Sequence, residues 1–399
     1  MIPTKRTSYN QAFTIEQYEA FKASIAATYG YAPPFRIAET PIFVPNALKK
    51  RLVAACEAIS ETIYHPKFKE WSQGALEGED IDVPNEDDHT LFLQMDFGIC
   101  RDENGDLIPQ LIEAQGFPSL YFFQDLLARK FKEHFDIPSD CTSYFNGLES
   151  ESYLALLKKA IVGDTDPKNI VLLEIESEKQ ATYIDFLCAE NCLGIKILCV
   201  SKLKKRGKKL FYLDDSGAEV PVYKIFNRVI FDELVQRKDL QREFNFSDEV
   251  DVEWMGHPNW FYRISKYIMP LLKNEYVPEC FYLDQLEEYP ADLENYVLKP
   301  LFSFAGSGVE IDINADMLDA ISEKQHFILQ KKVQYEPVLK AANGELVKCE
   351  IRMLMLWEKD APKATIINNL ARLTKGKMVG VKYNKDKDWV GASVAFFEK

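Results

Sequence analysis

The sequence predicts a mixed α/β (α+β) fold, and three features of the chain carry this prediction. An apolar run at 169–174, a helical pattern at 179–191 and a second apolar run at 194–200 give the strand–helix–strand order of an open α/β sheet. Two strand-like runs, 90–100 and 107–114, flank an Asn-Gly pair that is typical of a β-hairpin. Towards the C-terminus, a loop of small residues separates two further strand-like runs.

Length and composition indicate a soluble globular protein with several domains. At 399 residues the chain can bury a large core, and we expect two or three domains. The formal net charge of −14 argues against nucleic acid or an anionic membrane surface as the main partner. This charge leaves open an anionic ligand that is held in a local basic pocket.

The sequence predicts neither secretion nor a membrane span. Its first residues lead into polar sequence without the apolar segment of a signal peptide, and no apolar run approaches about 20 residues. The eight cysteines are scattered, mostly in apolar runs, which predicts free thiols rather than a zinc site. These features predict a cytoplasmic, reducing location, and they leave the oligomeric state open.

The N-terminal part of the chain is predicted to be helical before the hairpin begins. Residues 11–30 and 46–72 have helical apolar spacing, and Asn46 is a candidate N-cap. The acidic stretch 74–89 is predicted to be a loop. After the hairpin, a further helix is predicted at 120–135.

The loop of small residues is the most informative stretch, because it follows Lys299 directly. Its candidate ligand-binding residues are Ser303, Gly306, Ser307 and Gly308. Small residues allow backbone N–H groups to approach an anion closely, and the lysine adds a positive charge beside them. A P-loop or dinucleotide fingerprint would open onto a helix, whereas this loop joins two predicted strands. The pattern favours a flap over nucleotide phosphates, and an ordinary hairpin turn is the alternative.

Two carboxylates stand among apolar residues of the predicted hairpin. Asp96 lies in its first strand and Glu113 in its second, so both could face the same side. A buried carboxylate is costly unless it is paired, and a divalent metal would pair with both. The alternative is that one or both side chains point to solvent.

Basic residues recur in or beside the apolar segments of the C-terminal half. Lys266 and Arg352 join Lys299 in this set, and another apolar strand ends at Gln330 and Lys331. Such a strand could present backbone groups to an adenine edge. A buried arginine usually needs an anion, and its guanidinium matches phosphate. The alternatives are solvated lysines and a structural salt bridge of the arginine.

Taken in order, these segments resemble the synthetase domain of glutathionylspermidine synthase, a circularly permuted ATP-grasp ligase. The metal-binding hairpin of that family is similar to residues 93–119, and its Pro-x-Trp segment with the following lysine is similar to 257–272. Its Lys-Pro strand with the glycine-rich flap is similar to 295–309, and its strand with the adenine-side glutamine to 327–332. Residues 170–235 resemble the pre-ATP-grasp α/β domain.

The resemblance implies a domain organisation and an activity. Residues 1–150 would hold N-terminal helices and the metal-binding hairpin, 151–245 the pre-ATP-grasp α/β domain, and 246–399 the nucleotide-binding lobes. The implied cofactors are ATP and magnesium, and the implied substrates are a small-molecule acid and an amine. The acid would attack the γ-phosphate to give an acyl phosphate, from which the amine would displace phosphate.

The resemblance also implies a role for each candidate residue. The metal ligands would be Asp96, Glu113 and Gln115. The nucleotide would contact Lys266, Lys299, Ser303, Gly306, Ser307, Gly308, Gln330 and Lys331. Arg352 and Arg372 would be catalytic.

The chain departs from the family pattern at three places. Gln94 stands where the family has an arginine, Gln115 where it has an asparagine, and Phe304-Ala305-Gly306 where the flap has an Arg-Glu-Gly type sequence. The two glutamines motivate one alternative, a catalytically degraded relative that binds a nucleotide or a partner without forming a bond. A kinase-like member that phosphorylates a small molecule is another alternative. The sequence does not identify the acid or the amine.

Overall fold

The computed structural model describes residues 1–77, 82–303, 306–376, 384 and 386–399. Its α-helices are α1 (Pro3–Ala12), α2 (Ile15–Tyr29), α3 (Asn46–Ile63), α4 (Phe68–Trp71), α5 (Tyr121–His134), α6 (Ser150–Ile161), α7 (Tyr183–Leu193), α8 (Phe231–Gln236), α9 (Asn259–Arg263) and α10 (Ala315–Asp319). Its strands are β1 (Ile42–Val44), β2 (Phe92–Arg101), β3 (Leu107–Gln115), β4 (Cys141–Thr142), β5 (Ile170–Glu174), β6 (Lys196–Cys199), β7 (Lys204–Arg206), β8 (Lys209–Leu213), β9 (Glu219–Val222), β10 (Lys224–Asn227), β11 (Glu253–Met255), β12 (Cys280–Tyr282), β13 (Tyr296–Pro300), β14 (Phe327–Lys331), β15 (Leu339–Lys340), β16 (Leu346–Leu356), β17 (Thr365–Thr374), β18 (Gly391–Ser393) and β19 (Ala395–Glu398). In these residues, no helix is long and apolar enough to cross a membrane.

A central antiparallel sheet combines strands from distant parts of the sequence. Its order is β18-β17-β16-β2-β3, with β15 paired to β16. The predicted hairpin is confirmed as β2 and β3, and Gly105 takes the left-handed turn position with a φ of 84°. One face of the sheet is apolar and packs against α3, where Phe97 and Met353 share a core with Leu52. The opposite face carries polar residues.

A second sheet confirms the predicted open α/β unit. Its four strands run parallel in the order β11-β10-β5-β6, and α7 connects β5 to β6. Strand β10 ends at Asn227. There the chain leaves the sheet: the backbone N–H of Arg228 still bonds to Leu173, and α8 begins at Phe231.

A third sheet, with the antiparallel order β12-β14-β13, carries the small-residue loop. One of its faces packs on a small core that contains Tyr296, Leu298 and Leu329. The strand predicted after the loop does not form. Only Glu310 pairs with Leu298, and the Asn314 side chain then caps α10 by accepting a hydrogen bond from the Met317 N–H. Two smaller sheets have the orders β1-β19-β4 and β7-β8-β9.

Asp185 connects the α/β unit to the start of α5. Its carboxylate accepts hydrogen bonds from the backbone N–H groups of Phe122 and Phe123 at 2.9 Å and of Leu120 at 3.2 Å. Arg228 donates to the same carboxylate at 2.7 Å, and both side chains are buried. Leu120 has a φ of 64°, which is unusual for a bulky residue and is held by these contacts.

Replacing Asp185 by alanine is expected to lower the free energy of unfolding by about 3–5 kcal/mol, because Arg228 then keeps a buried, unpaired charge. Urea denaturation followed by circular dichroism measures this loss. The control is Glu358→Gln, which removes the exposed ion pair with Lys159 and is expected to cost no more than about 0.5 kcal/mol. Similar losses in the two variants would contradict the role of Asp185.

Candidate functional site

Charged residues from four strands meet on the polar face of the central sheet. Asp96 is the cross-strand neighbour of both Glu113 and Arg352, and Glu350 is the neighbour of Arg372. Cross-strand neighbours point to the same face of a sheet. The prediction that Asp96 and Glu113 share a face is therefore confirmed. Sequence reasoning missed Glu350, although it lies two residues before Arg352 in the same strand.

Asp96 is surrounded by guanidinium groups. Arg352 donates from Nε to Oδ1 and from Nη2 to Oδ2, the latter at 2.7 Å, and Arg372 also bonds to Oδ2. The third nitrogen of Arg352 donates to Oε1 of Gln94 at 2.9 Å. Burial acts to raise the pKa of Asp96, but the two guanidiniums outweigh it and bring the pKa to about 2. Asp96 is therefore an ionised, fully paired carboxylate.

Glu350 and Tyr335 complete a cluster that also contains Asp96, Arg352 and Arg372; we call it the arginine–carboxylate group. Glu350 pairs with Arg372, and the Tyr335 hydroxyl donates to its Oε2 at 3.0 Å. Burial raises the pKa of Glu350, although Arg372 opposes the shift. Gly98 is the cross-strand neighbour of Glu350, and an added Cβ there would lie 2.7 Å from Val333 Cγ1. Glycine therefore allows the chain after β14 to lie against the site.

A second group surrounds Glu113. Lys266 Nζ lies 3.3 Å from its Oε2 and donates to the carbonyl oxygen of Ser303 at 2.6 Å. The amide of Gln115 donates to Oε1 of Glu113 at 2.7 Å. Arg352 Nη2 is 3.8 Å from the same oxygen. Glu113 thus touches both lysine and arginine, but its close partners are Lys266 and Gln115.

Two side chains of the third sheet reach β3 across the site. Lys299 donates to the carbonyl oxygen of Ile112 at 3.0 Å, and Gln330 donates to that of Leu111 at 3.2 Å. An irregularity in the β2–β3 pairing leaves Ile112 without a cross-strand partner. Burial lowers the pKa of Lys299 to about 8; Lys266 adds to this effect, whereas Glu113 opposes it.

The structure does not bring every predicted residue to this cluster. Lys331 is exposed on the other face of its sheet, with its Nζ 6.0 Å from the centre of the Tyr296 ring. The loop residues Gly306, Ser307 and Gly308 are also exposed. Gly308 has a φ of 70°, and a Cβ there would lie 2.8 Å from Pro300 Cγ, so only glycine fits. Phe304 and Ala305 lie outside the described residues.

Several buried polar atoms at the site have no hydrogen-bond partner among the described residues. They are Gln115 Oε1, Ser303 Oγ, Gln330 Oε1 and Arg372 Nε. Leaving such a group unsatisfied costs about 1–3 kcal/mol, so their concentration here indicates a ligand-binding site. All four atoms belong to residues that were predicted from the sequence to bind a ligand or to be catalytic.

The cavity between these groups is small in this conformation. It is lined by Glu113, Gln115, Lys266 and Ser303 together with aromatic side chains, and its volume is about 20 Å³. A single water needs about 10–15 Å³ of such space, whereas a ligand pocket usually has about 300 Å³ or more. In this conformation the cavity therefore holds a water but no larger ligand.

The site offers oxygen ligands that fit magnesium. In the described ranges there is no group of three or more His, Cys, Asp or Glu side chains that could hold a metal ion. Magnesium, however, commonly takes only one or two protein ligands and completes its shell with phosphates and waters. The Glu113 carboxylate and Gln115 Oε1, which has no partner in the part of the chain that the structure describes, are such a pair.

A second polar cluster, which sequence reasoning missed, lies at the carboxyl ends of β5 and β10. Glu174 is 3% exposed, and burial raises its pKa to about 8. Asn227 Nδ2 and Arg228 Nε are buried without a partner in the described part of the chain. Strand order reverses between β5 and β10, which is where open α/β sheets bind ligands. The sequence does contain a signal for this cluster, because Glu174 and the Asn227-Arg228 pair each follow an apolar run.

Comparison with known proteins identifies the fold. No protein-family model and no curated protein matches the chain. Among solved structures, the chain is similar to a glutathione synthetase-like effector from Globodera pallida in its apo form, with a TM-score of 0.60. The two sequences are 13% identical, and the match covers 96% of each chain. The predicted α/β ATP-grasp-type architecture is thereby confirmed, and the domain boundaries at 150 and 245 stay predictions.

The low pKa of Lys299 predicts a pH-dependent stability. The folded protein releases this proton near pH 8, whereas an unfolded lysine keeps it to about pH 10.4, so the unfolded state binds more protons between these values. The free energy of unfolding, relative to Lys299→Met, is expected to be constant below pH 8. It should then rise by up to about 1.4 kcal/mol per pH unit. Urea denaturation of both proteins from pH 7 to 10 measures the difference, and a flat difference would refute the shift.

Proposed function

We propose that this protein is an ATP-dependent ligase that joins a carboxylate to an amine through an acyl phosphate. One observation carries the proposal: cations from the central sheet, the third sheet and the segment that follows α9 converge beside polar atoms that lack a partner among the described residues, in a chain with an ATP-grasp-type fold. These cations are Lys266, Lys299, Arg352 and Arg372. A convergence of this kind suits the phosphates of a nucleotide.

Lys266 and Lys299 would neutralise the phosphates of ATP. Both now donate to neutral backbone carbonyls, those of Ser303 and Ile112. A phosphate oxygen is a stronger acceptor than a carbonyl, because the hydrogen bond is then charge-assisted on both sides. Gln330, whose Oε1 lacks a partner among the described residues, would face the adenine. The exposed loop at Gly308 would cover the phosphates.

Glu113 and Gln115 would hold magnesium, which when bound offsets the charge of the phosphates. The residues of the protein then act on the substrates. The carboxylate oxygen of the acid attacks the γ-phosphorus and ADP leaves, while Arg372 stabilises the charge on the transferred group. The amine nitrogen attacks the acyl carbon, phosphate leaves, and the nitrogen loses a proton. Exclusion of water by the loop at Gly308 would protect the acyl phosphate from hydrolysis.

The cluster at the ends of β5 and β10 would bind the acid substrate. Arg228 Nε and Asn227 Nδ2 are donors without a partner among the described residues, and both suit a carboxylate. Arg228 is linked through Asp185 to the backbone N–H of Leu120. The carbonyl of the preceding Ser119 accepts a hydrogen bond from Gln94, which is a partner of Arg352. The carboxylate of an amino acid or short peptide would bind the donors of Arg228 and Asn227.

A second candidate function is a relative that binds nucleotide without forming a bond. Gln94 favours it, because in this chain the amide lies where the resemblance implies a charged group that would steady the acyl phosphate. The small volume of the cavity is also compatible with a protein that has lost turnover.

ATP binding is the first expected outcome, and isothermal titration measures it. ATP should bind more tightly with magnesium than without it, and Lys299→Ala should weaken binding by about 10-fold to 100-fold, because one phosphate contact is lost. Lys331→Ala is the matched control, since this lysine lies on the opposite face of the same sheet. Equal effects of the two substitutions would place the nucleotide elsewhere.

Bond formation separates the two candidate functions. The protein, ATP and magnesium are incubated with amino acids or short peptides, and hydroxylamine replaces the amine. A ligase is expected to yield ADP and a hydroxamate in equal amounts, because hydroxylamine traps the acyl phosphate. ATP binding without ADP formation with any acid of the panel would favour the binding protein. Lys299→Ala controls for contaminating ATPases.

A further inference from the structure

We propose that the buried carboxylates of the site have separate tasks: Glu113, with Gln115, holds the metal, whereas Asp96 holds the two arginines and takes no metal. This inference rests on the proposed function, since it concerns the metal of the same site. It departs from the sequence expectation, in which Asp96 is a metal ligand.

The hydrogen bonds of Asp96 leave no room for a metal ion. Both of its oxygens are occupied by Arg352, and one of them is shared with Arg372. Asp96 is only 1% exposed. A divalent cation at either oxygen would therefore have to approach two guanidiniums in a poorly solvated place, where like charges repel strongly.

Arg352 cannot easily leave Asp96. All three of its nitrogens are engaged, two with Asp96 and one with Gln94. Gln94 is itself fixed, because its amide donates to the carbonyl oxygen of Ser119 at 3.0 Å. Releasing Asp96 for a metal would leave the buried Arg352 without its carboxylate.

Glu113 is also paired at both oxygens, but its close partners are an amide and a lysine rather than two guanidiniums. Its side chain is 18% exposed, and its nearest cation is Lys266 at 3.3 Å. Lys266 would move to the phosphates when nucleotide binds, which frees the Glu113 oxygen at that moment. Gln115 offers a second oxygen at the same place, and this oxygen has no partner in the described residues. Nucleotide binding would thus replace the Glu113–Lys266 ion pair by two new contacts, one of Glu113 with the metal and one of Lys266 with a phosphate.

The same contacts make Asp96 a positioning residue for Arg372. Arg372 is 32% exposed and lies between Asp96 and Glu350, with its Nε unpartnered within the described ranges. Its Nε is therefore a donor for phosphate, whereas every nitrogen of Arg352 already donates a hydrogen bond. Asp96 and Glu350 hold the guanidinium at the position where the γ-phosphate would arrive.

The test is binding of Mn²⁺ to the protein with ADP or ATP, followed by electron paramagnetic resonance, on the wild type, Glu113→Gln and Asp96→Asn. Glu113→Gln is expected to weaken Mn²⁺ binding at least 100-fold. Asp96→Asn should weaken it less than 10-fold, and Asp96→Glu less than 3-fold. Without metal, Asp96→Asn should also reduce the preference for ATP over ADP, because Arg372 loses its position, and Asp96→Glu should restore it.

The outcomes distinguish this inference from the proposed function. If the wild type binds neither nucleotide nor Mn²⁺, the proposed function fails and the inference with it. If the wild type binds both and Asp96→Asn loses Mn²⁺ as completely as Glu113→Gln, only the division of tasks is overturned. Should circular dichroism show that Asp96→Asn does not fold, Asp96→Glu decides by the same measurement. A 100-fold loss in that variant overturns the inference.

Discussion

The site depends on the pairing of Asp96 with Arg352 in the middle of the central sheet. Neither charge could be buried alone, because removing an ion from water costs several kcal/mol. Around this pair the site buries two further carboxylates, Glu113 and Glu350, against three further cations, Lys266, Lys299 and Arg372. One positive charge is left over. A chain with a net charge of −14 thus presents a local cationic centre, which is what an anionic ligand requires.

The same pairing ties the site to the fold. Asp96 lies in β2, early in the sequence, whereas its two arginines lie in β16 and β17, near the C-terminus. The charges therefore meet only when the central sheet has formed. Any other strand order would bury Asp96 or Arg352 without its partner, which is costly. Asp185 and Arg228 form a second buried ion pair of this kind, at the place where the α/β unit meets α5. Both polar clusters are consequently held by elements far apart in sequence.

Sequence periodicity predicted the parts of the site that depend on neighbouring residues. Alternation along a strand fixes which face a side chain takes, so the common face of Asp96 and Glu113 followed once the hairpin was recognised. Glu350, Tyr335 and Arg228 were not predicted, because their roles come from partners on distant strands. Periodicity could also have excluded Lys331 from the face of Gln330, since adjacent residues in a strand point in opposite directions.

The closed cavity follows from the same electrostatics. Lys266, Lys299 and Gln330 donate hydrogen bonds to carbonyl oxygens of β3 and of the loop, and these bonds hold the third sheet against β3. These bonds are to neutral acceptors, and four polar atoms nearby stay unsatisfied among the described residues. A phosphate offers both charge and acceptors, so it can replace the carbonyls and open the site. On the proposed function, the affinity for a nucleotide would be the difference in free energy between these two sets of bonds. A neutral ligand of the same shape should therefore bind poorly, because it forms no charge-assisted hydrogen bonds in place of the lost carbonyl contacts.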